Sequence, residues 1–205
     1  MNYYHDLVTQ KSWLELTQLV KQVPFILIGG WAVYLYAKTL KSKDIDIIVT
    51  FDTLSTFKKL YDMQKNDRLR KYEAVRGEVQ IDIYLPHFSA LGIPVEELID
   101  KTRVVEGFSV VDPNYLFALK LFTLKERGRA PKGRKDFLDL ISLIISQSIN
   151  LKVATKIIQQ YHFDDSKNVF AGFLQEHTQI PELNLSTHQY AKLKKETAEL
   201  LHLSV

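Results

Sequence analysis

Apolar residues in the first half of the chain come in short runs and strict alternations, whereas from residue 113 onward they recur at the three- and four-residue spacing of helices. Residues 4–23 carry the helical spacing, and a continuous apolar run over 25–28 ends in Gly29-Gly30. Such a run reads as a short buried strand with a sharp exit, and residues 31–37 as a helix whose N-terminus points at the gap. Polar and apolar positions alternate over 43–49, so a strand carries Ile45 and Ile47 into the core while Asp44 and Asp46 leave from the opposite face. A helix is expected over 57–63, after the turn-forming Asp52-Thr53. Residues 79–85 alternate again, with Asp82 on the face away from Ile81 and Ile83, and a turn at Arg76-Gly77-Glu78 joins them to 73–76 as a hairpin. Gly92 and Pro94 mark an irregular stretch, followed by a short helix near 95–100 and two short strands flanking Glu106-Gly107.

Asp112-Pro113 is a helix start with proline at the first helical position, and it is the expected boundary between a first domain, 1–112, and a second, 113–205. Beyond it Phe137, Leu140, Ile141, Ile144 and Ile145 repeat at helical spacing. Asn150 and Asp164 or Asp165 offer caps, and Ser186-Thr187-His188-Gln189 has the form of a capping box. The expected fold class is α+β (α/β), a small mixed sheet followed by a C-terminal helical subdomain. There is no internal repeat, low-complexity tract or long linker.

Chemistry concentrates in the first domain. Glycines at a strand exit bring backbone N–H groups against an anion, and two carboxylates on one strand face repel unless a cation lies between them. Mg2+ or Mn2+ suits such a pair, because a hard cation takes carboxylate oxygens together with substrate phosphates. Asp44 and Asp46 are therefore candidate metal ligands, Gly29 and Gly30 a candidate phosphate cradle, and Asp82 a candidate third ligand and general base. The plainer account of each aspartate is a solvated position on a half-exposed strand.

The segments Ile28-Gly29-Gly30-Trp31-Ala32-Val33, Lys43-Asp44-Ile45-Asp46-Ile47-Ile48-Val49 and Val79-Gln80-Ile81-Asp82-Ile83 together resemble the nucleotidyltransferase superfamily related to DNA polymerase beta. Lys120 and Arg127, seven residues apart on one helical face, and Asp136 and Asp139, three apart on the next, extend the resemblance to AbiEii-like toxin nucleotidyltransferases of toxin-antitoxin and abortive-infection systems. The resemblance implies a nucleotidyltransferase core completed by the helical subdomain. The implied activity is Mg2+-dependent transfer of a nucleoside monophosphate from an NTP to an acceptor hydroxyl, with tRNA or another RNA as acceptor and an antitoxin protein as partner. It also places Lys120 on the nucleotide phosphates as a catalytic residue, Asp136 or Asp139 beside that lysine or the nucleotide, and Ser42 and Lys43 near the phosphates. An interhelix salt bridge is the plainer account of Lys120 and Asp136. Relatives often carry arginine and threonine before the first metal aspartate. Here Leu40 stands where that arginine is expected, and an ammonium from Lys41 or Lys43 does not replace a bidentate guanidinium.

The segment Gly29-Gly30-Trp31-Ala32-Val33 also resembles antibiotic nucleotidyltransferases acting on aminoglycosides or lincosamides, and a third reading is adenylylation of a partner protein, as in small antitoxin nucleotidyltransferases. A non-catalytic nucleotide- or RNA-binding module is the alternative from another class. With 205 residues, 46% hydrophobic, the chain is long enough for one sizeable core or two compact subdomains. No apolar run approaches a membrane span, and the N-terminus lacks a signal peptide's regions, so the expected location is cytoplasmic, away from membrane. Zero cysteines remove disulfides, thiolate metal sites and cysteine nucleophiles. The histidines His5, His87, His162, His177, His188 and His202 have no metal-ligand spacing. Net charge is only +3, yet Lys125, Arg127, Arg129, Lys132, Arg134 and Lys135 crowd one loop, a candidate RNA contact. The same loop imitates a P-loop between Gly128 and Lys135, but follows a helix instead of a strand.

Overall fold

A computed structural model describes residues 6–203. The expected helix start at Tyr4, and His5, lie outside the described residues. The chain divides into two compact units, one running through Asp112 and one beginning at Pro113.

The first unit is built on a mixed sheet of seven strands. They are β1 (Ile26–Ile28), β2 (Ile45–Ile48), β3 (Asp62–Asn66), β4 (Lys71–Arg76), β5 (Val79–Tyr84), β6 (Thr102–Val105) and β7 (Phe108–Val111), in the order β3-β4-β5-β2-β1-β7-β6. At its centre β2 runs antiparallel to β1 and parallel to β5. The alternation expected of β2 and β5 holds: Ile45, Ile47, Ile81 and Ile83 are fully buried, and the aspartates between them point the other way. Helix α1 (Asp6–Leu19) packs on β5, α2 (Gly29–Ala37) on β1 and β2, α3 (Phe51–Leu60) against β3, and the short α4 (Val95–Leu98) precedes β6.

Two differences from the expected elements have local causes. Helix α3 begins at Phe51, six residues early, because Thr50 acts as its N-cap and accepts a hydrogen bond from the Thr53 N–H at 3.4 Å. Strand β3 carries a single apolar residue, Met63, so no alternation betrays it; it is an edge strand held by its ladder to β4. The glycines, expected as a turn before α2, are its first two residues.

In the second unit α5 (Pro113–Arg127) packs against α6 (Pro131–Ile145), α7 (Leu151–Gln160) and α8 (Asp164–Glu176), while α9 (Thr187–Leu201) lies on α7. Phe137 sits between Phe170 and Phe173, with ring centroids 5.8 and 5.2 Å away. Asn150 caps α7, and Ser186 with Gln189 forms a complete capping box on α9, whereas Asp164 and Asp165 lie in the first turn of α8 instead of capping it. Among the described residues, no helix is long and apolar enough to cross a membrane.

Candidate active site

Strand β1 runs out beside Asp46, since Ile28 is the register partner of that residue on β2. The next residue, Gly29, opens α2 with φ +68°, a left-handed conformation that favours glycine. A Cβ there would also collide with the Asp46 carboxylate. Glycine is thus required twice, for the backbone turn and for the space the carboxylate fills. The N-cap of α2, Ile28, makes no side-chain cap hydrogen bond. The helix is fixed at both ends: the buried Trp31 donates from Nε1 to Ser12 Oγ at 2.8 Å, and the Tyr36 hydroxyl donates to the Val111 carbonyl at 2.9 Å. Burial pushes that tyrosine up to about 12, with the Asp112 charge adding to the rise.

Ser42 is buried, and its hydroxyl donates to the Asp44 carbonyl at 3.0 Å. The contact shapes the bend that leads into β2, and the strand, expected to begin at Lys43, begins only at Ile45, so that Asp44 stands just ahead of it and Asp46 within it. Lys43, Asp44 and Asp46 are all half-buried.

Across the sheet Asp46 pairs in register with Asp82, and Asp82 with Glu73 on β4. Register partners share a face at Cβ separations of about 5 Å, so three acids stand in a row. Lys71, also on β4, reaches back along this face, its Nζ 2.6 Å from Asp82 Oδ2 and 3.0 Å from Glu73 Oε1. Gln80 Nε2 donates to the other Asp82 oxygen at 2.8 Å. Burial alone would lower the Lys71 ammonium, but its hydrogen bonds and charge pairing with Asp82 and Glu73 outweigh that and raise it above its ordinary value. Glu73 falls below the usual carboxylate value, chiefly through the Lys71 hydrogen bond.

Asp46, against Gly29, and Asp44, two residues before it, carry hard carboxylate oxygens, a donor type suited to Mg2+ with phosphate oxygens completing the shell. Asp82, expected as the third ligand, is instead turned to Lys71 and Gln80. Among the described residues, no group of three or more acidic or histidine side chains gathers closely enough to hold a metal together.

Lys71 and Glu73 were not singled out from sequence, though a signal for them existed. A two-residue turn at Gly77-Glu78 forces Arg76 opposite Val79, and counting back places Glu73 opposite Asp82 and Lys71 on the same face.

The fold has counterparts among crystal structures. A candidate nucleotidyltransferase from Helicobacter pylori aligns over 96% of this chain and 94% of its own, at 18% identity and a TM-score of 0.53. The JHP933 protein from the same organism aligns over 95% and 91%, at 16% identity and a TM-score of 0.53. The chain shares the fold of these two proteins. No family model matches the sequence, and no curated protein matches it.

Within the C-terminal unit, Lys120 lies between two fully buried carboxylates, its Nζ 2.9 Å from Asp136 Oδ1 and 2.7 Å from Asp139 Oδ2. Arg127 Nη1 takes the other Asp136 oxygen at 2.7 Å, and Lys135 Nζ takes Asp139 Oδ1 at 2.5 Å. Burial would lower the Lys120 ammonium, yet Asp136 and Asp139 raise it above its ordinary value. For Asp136 burial acts upward, but Lys120 and Arg127 hold it below the usual carboxylate value. Burial lowers Lys135, with Asp139 opposing and the Lys120 charge adding to the drop. The interhelix salt bridge, weighed from sequence as the plainer account, is what this unit contains.

The basic loop is largely neutralised by the same unit. Lys125 faces Asp165 at 3.4 Å, Arg129 pairs with Glu176, and Arg134 meets Glu182 at 3.0 Å, in addition to the Arg127 and Lys135 pairs. The P-loop imitation also has a structural cause. Gly128 ends α5 with φ +53°, and a Cβ on Gly133, in the first turn of α6, would collide with the Gly128 carbonyl. Both glycines serve the tight corner between two helices.

Proposed function

We propose that this chain is a Mg2+-dependent nucleotidyltransferase that moves a nucleoside monophosphate from an NTP to an acceptor hydroxyl, releasing pyrophosphate. The observation that carries the reading is the closure of Gly29 onto Asp46: a helix start built without a side-chain cap stands directly against a carboxylate, so phosphate and cation would meet at one place. Backbone N–H groups at Gly29 and Gly30 would orient the triphosphate, and Ser42 and Lys43 lie on the segment leading into the acidic strand. Asp44 and Asp46 would hold the divalent ion. Bound there, the ion supplies neutralisation of phosphate charge and polarisation of the α-phosphate.

The acceptor oxygen forms a bond to the α-phosphorus as the bond to the pyrophosphate oxygen breaks, and the hydroxyl proton leaves to a base. Asp82 is the candidate base. Both its oxygens already accept hydrogen bonds, but each carboxylate oxygen has a second acceptor position. Most of the acceleration would come from positioning and fixed charge. No step is assigned to Lys120, whose ammonium is committed to Asp136 and Asp139.

The finer reading is a toxin-like enzyme that modifies tRNA and is opposed by a protein antitoxin, supported by the order of the Asp44, Asp82, Lys120 and Asp136 motifs. Incubation with Mg2+ and each labelled NTP, in parallel with tRNA and with aminoglycoside or lincosamide acceptors, tests both levels. Label should appear on tRNA, and Asp46→Ala should abolish it. Equal labelling by the variant removes the proposed chemistry, whereas label on the antibiotic alone keeps the chemistry and replaces the acceptor.

A further inference from the structure

The row of acids on the sheet presents an electrostatic problem that a metal at Asp44 and Asp46 does not solve. Asp46, Asp82 and Glu73 are successive register partners, so three like charges stand on neighbouring strands of one face. Like charges in direct cross-strand opposition are destabilising. Lys71 is set into the row as a cation, 7% exposed and within 3.0 Å of both Asp82 and Glu73. Its position is strict: it lies two residues before Glu73, so both side chains leave β4 on the same face, and Asp82 stands opposite Glu73. Gln80, two residues before Asp82, locks the second oxygen of that carboxylate from the other side.

We propose that Lys71 is a built-in second cation: held between Asp82 and Glu73, it neutralises the third carboxylate of the row. The site then binds one divalent ion, at Asp44 and Asp46, and Asp82 carries no metal. This rests on the nucleotidyltransferase reading above. It makes Lys71 a positioning residue, which fixes the Asp82 carboxylate where a second ion would otherwise have to hold it. The geometry agrees, because both Asp82 oxygens are directed at protein donors and no three acids converge among the described residues. A single Mg2+ held by one or two carboxylates and substrate phosphates is a common arrangement, and a fixed ammonium costs no ion binding at each turnover.

Metal binding decides the matter without any turnover. Mn2+ is titrated into the full chain with a nonhydrolysable NTP, and free Mn2+ is followed by paramagnetic resonance. The wild type should take up one ion per chain. Asp82→Asn, which retains an acceptor for Lys71, should keep the ion within about threefold of wild-type affinity, while Asp46→Asn should weaken it by at least about tenfold. Lys71→Met should acquire a second, weaker ion, and Lys71→Arg should return the count to one. Two ions in the wild type, or loss of the ion in Asp82→Asn comparable to that in Asp46→Asn, overturns the role of Lys71 and leaves the transferase reading standing. No ion in the wild type, or an ion indifferent to Asp46→Asn, removes the reading on which the proposal rests. Should Lys71→Met not fold, the wild-type count and the Asp82→Asn affinity decide between these outcomes.

Discussion

Gly29 and Asp46 share one small volume: the carboxylate of the aspartate fills the space that any side chain at position 29 would need. The relationship ties the start of α2 to the middle of β2, and so ties the candidate phosphate cradle to the candidate metal ligand. A side chain at 29 has two costs, strain at positive φ and displacement of Asp46.

Those two costs can be separated within the same protein. Gly77 in the β4–β5 turn also has positive φ, +62°, but nothing lies within 4 Å of a Cβ there. Gly77→Ala should therefore cost only the left-handed strain, about 1 kcal/mol. Gly29→Ala should cost clearly more in urea unfolding and should also abolish nucleotide binding measured by calorimetry. Equal costs for the two variants, with nucleotide binding intact, would show that the Asp46 contact is dispensable.

A double-mutant cycle measures the Lys71–Asp82 pair directly. The two side chains are nearly buried, at 9% and 13% exposure, and 2.6 Å apart. Removing either alone takes an ion-pair partner from a nearly buried charge, so Lys71→Met and Asp82→Asn should each destabilise, and the double variant should cost less than their sum by about 2 kcal/mol. The unit offers its own probe: Trp13 and Trp31, the only two tryptophans, both lie there with ring centroids 5.0 Å apart. Their fluorescence should follow the transition.

How far the sequence carries depends on where its signals are local. Alternation around Asp46 and Asp82 is local to each strand, and the burial of Ile45, Ile47, Ile81 and Ile83 follows it directly. Ser186 and Asn150 announce their helices through capping chemistry confined to four residues. Strand β3 gives no such signal, because an exposed edge is defined by its neighbour's ladder and not by its own apolar pattern. The state of Asp82 was hidden for a related reason. Its partner Lys71 lies 11 residues away, and only the hairpin register brings them together. Charge crowding misled in the opposite direction, since the carboxylates that answer Lys125, Arg129 and Arg134 come from helices more than 39 residues later in the chain.

That neutralisation has a consequence for RNA. If all six cations of the loop met phosphates, log K would fall against log salt with a slope of about −5. With the five other loop cations held by carboxylates and only Lys132 outside these pairs among the described residues, tRNA association through this loop should show a slope nearer −1. Filter binding of tRNA between low and moderate salt measures it. A steep slope that Arg129→Ala and Arg134→Ala reduce together would show that the ion pairs open to receive RNA.

The buried cluster of the C-terminal unit makes stability depend on acid. Asp136 is fully buried between Lys120 and Arg127, and its carboxyl is held below its ordinary value of 3.8. In the unfolded chain the group takes up its proton first, so the stabilisation is complete above about pH 3.8 and is lost as pH falls through the lower folded value. Asp136→Asn removes the charge at every pH and leaves Lys120 short of one partner in a buried setting, at a cost of about 3 kcal/mol near neutrality. In acid the wild type loses the same advantage, so the two proteins should converge as pH drops below about 3.8. Urea unfolding followed by far-UV circular dichroism, which weights the helical unit, measures both curves. A gap between them that stays constant from pH 7 into that acid range would mean that Asp136 acts through packing rather than charge.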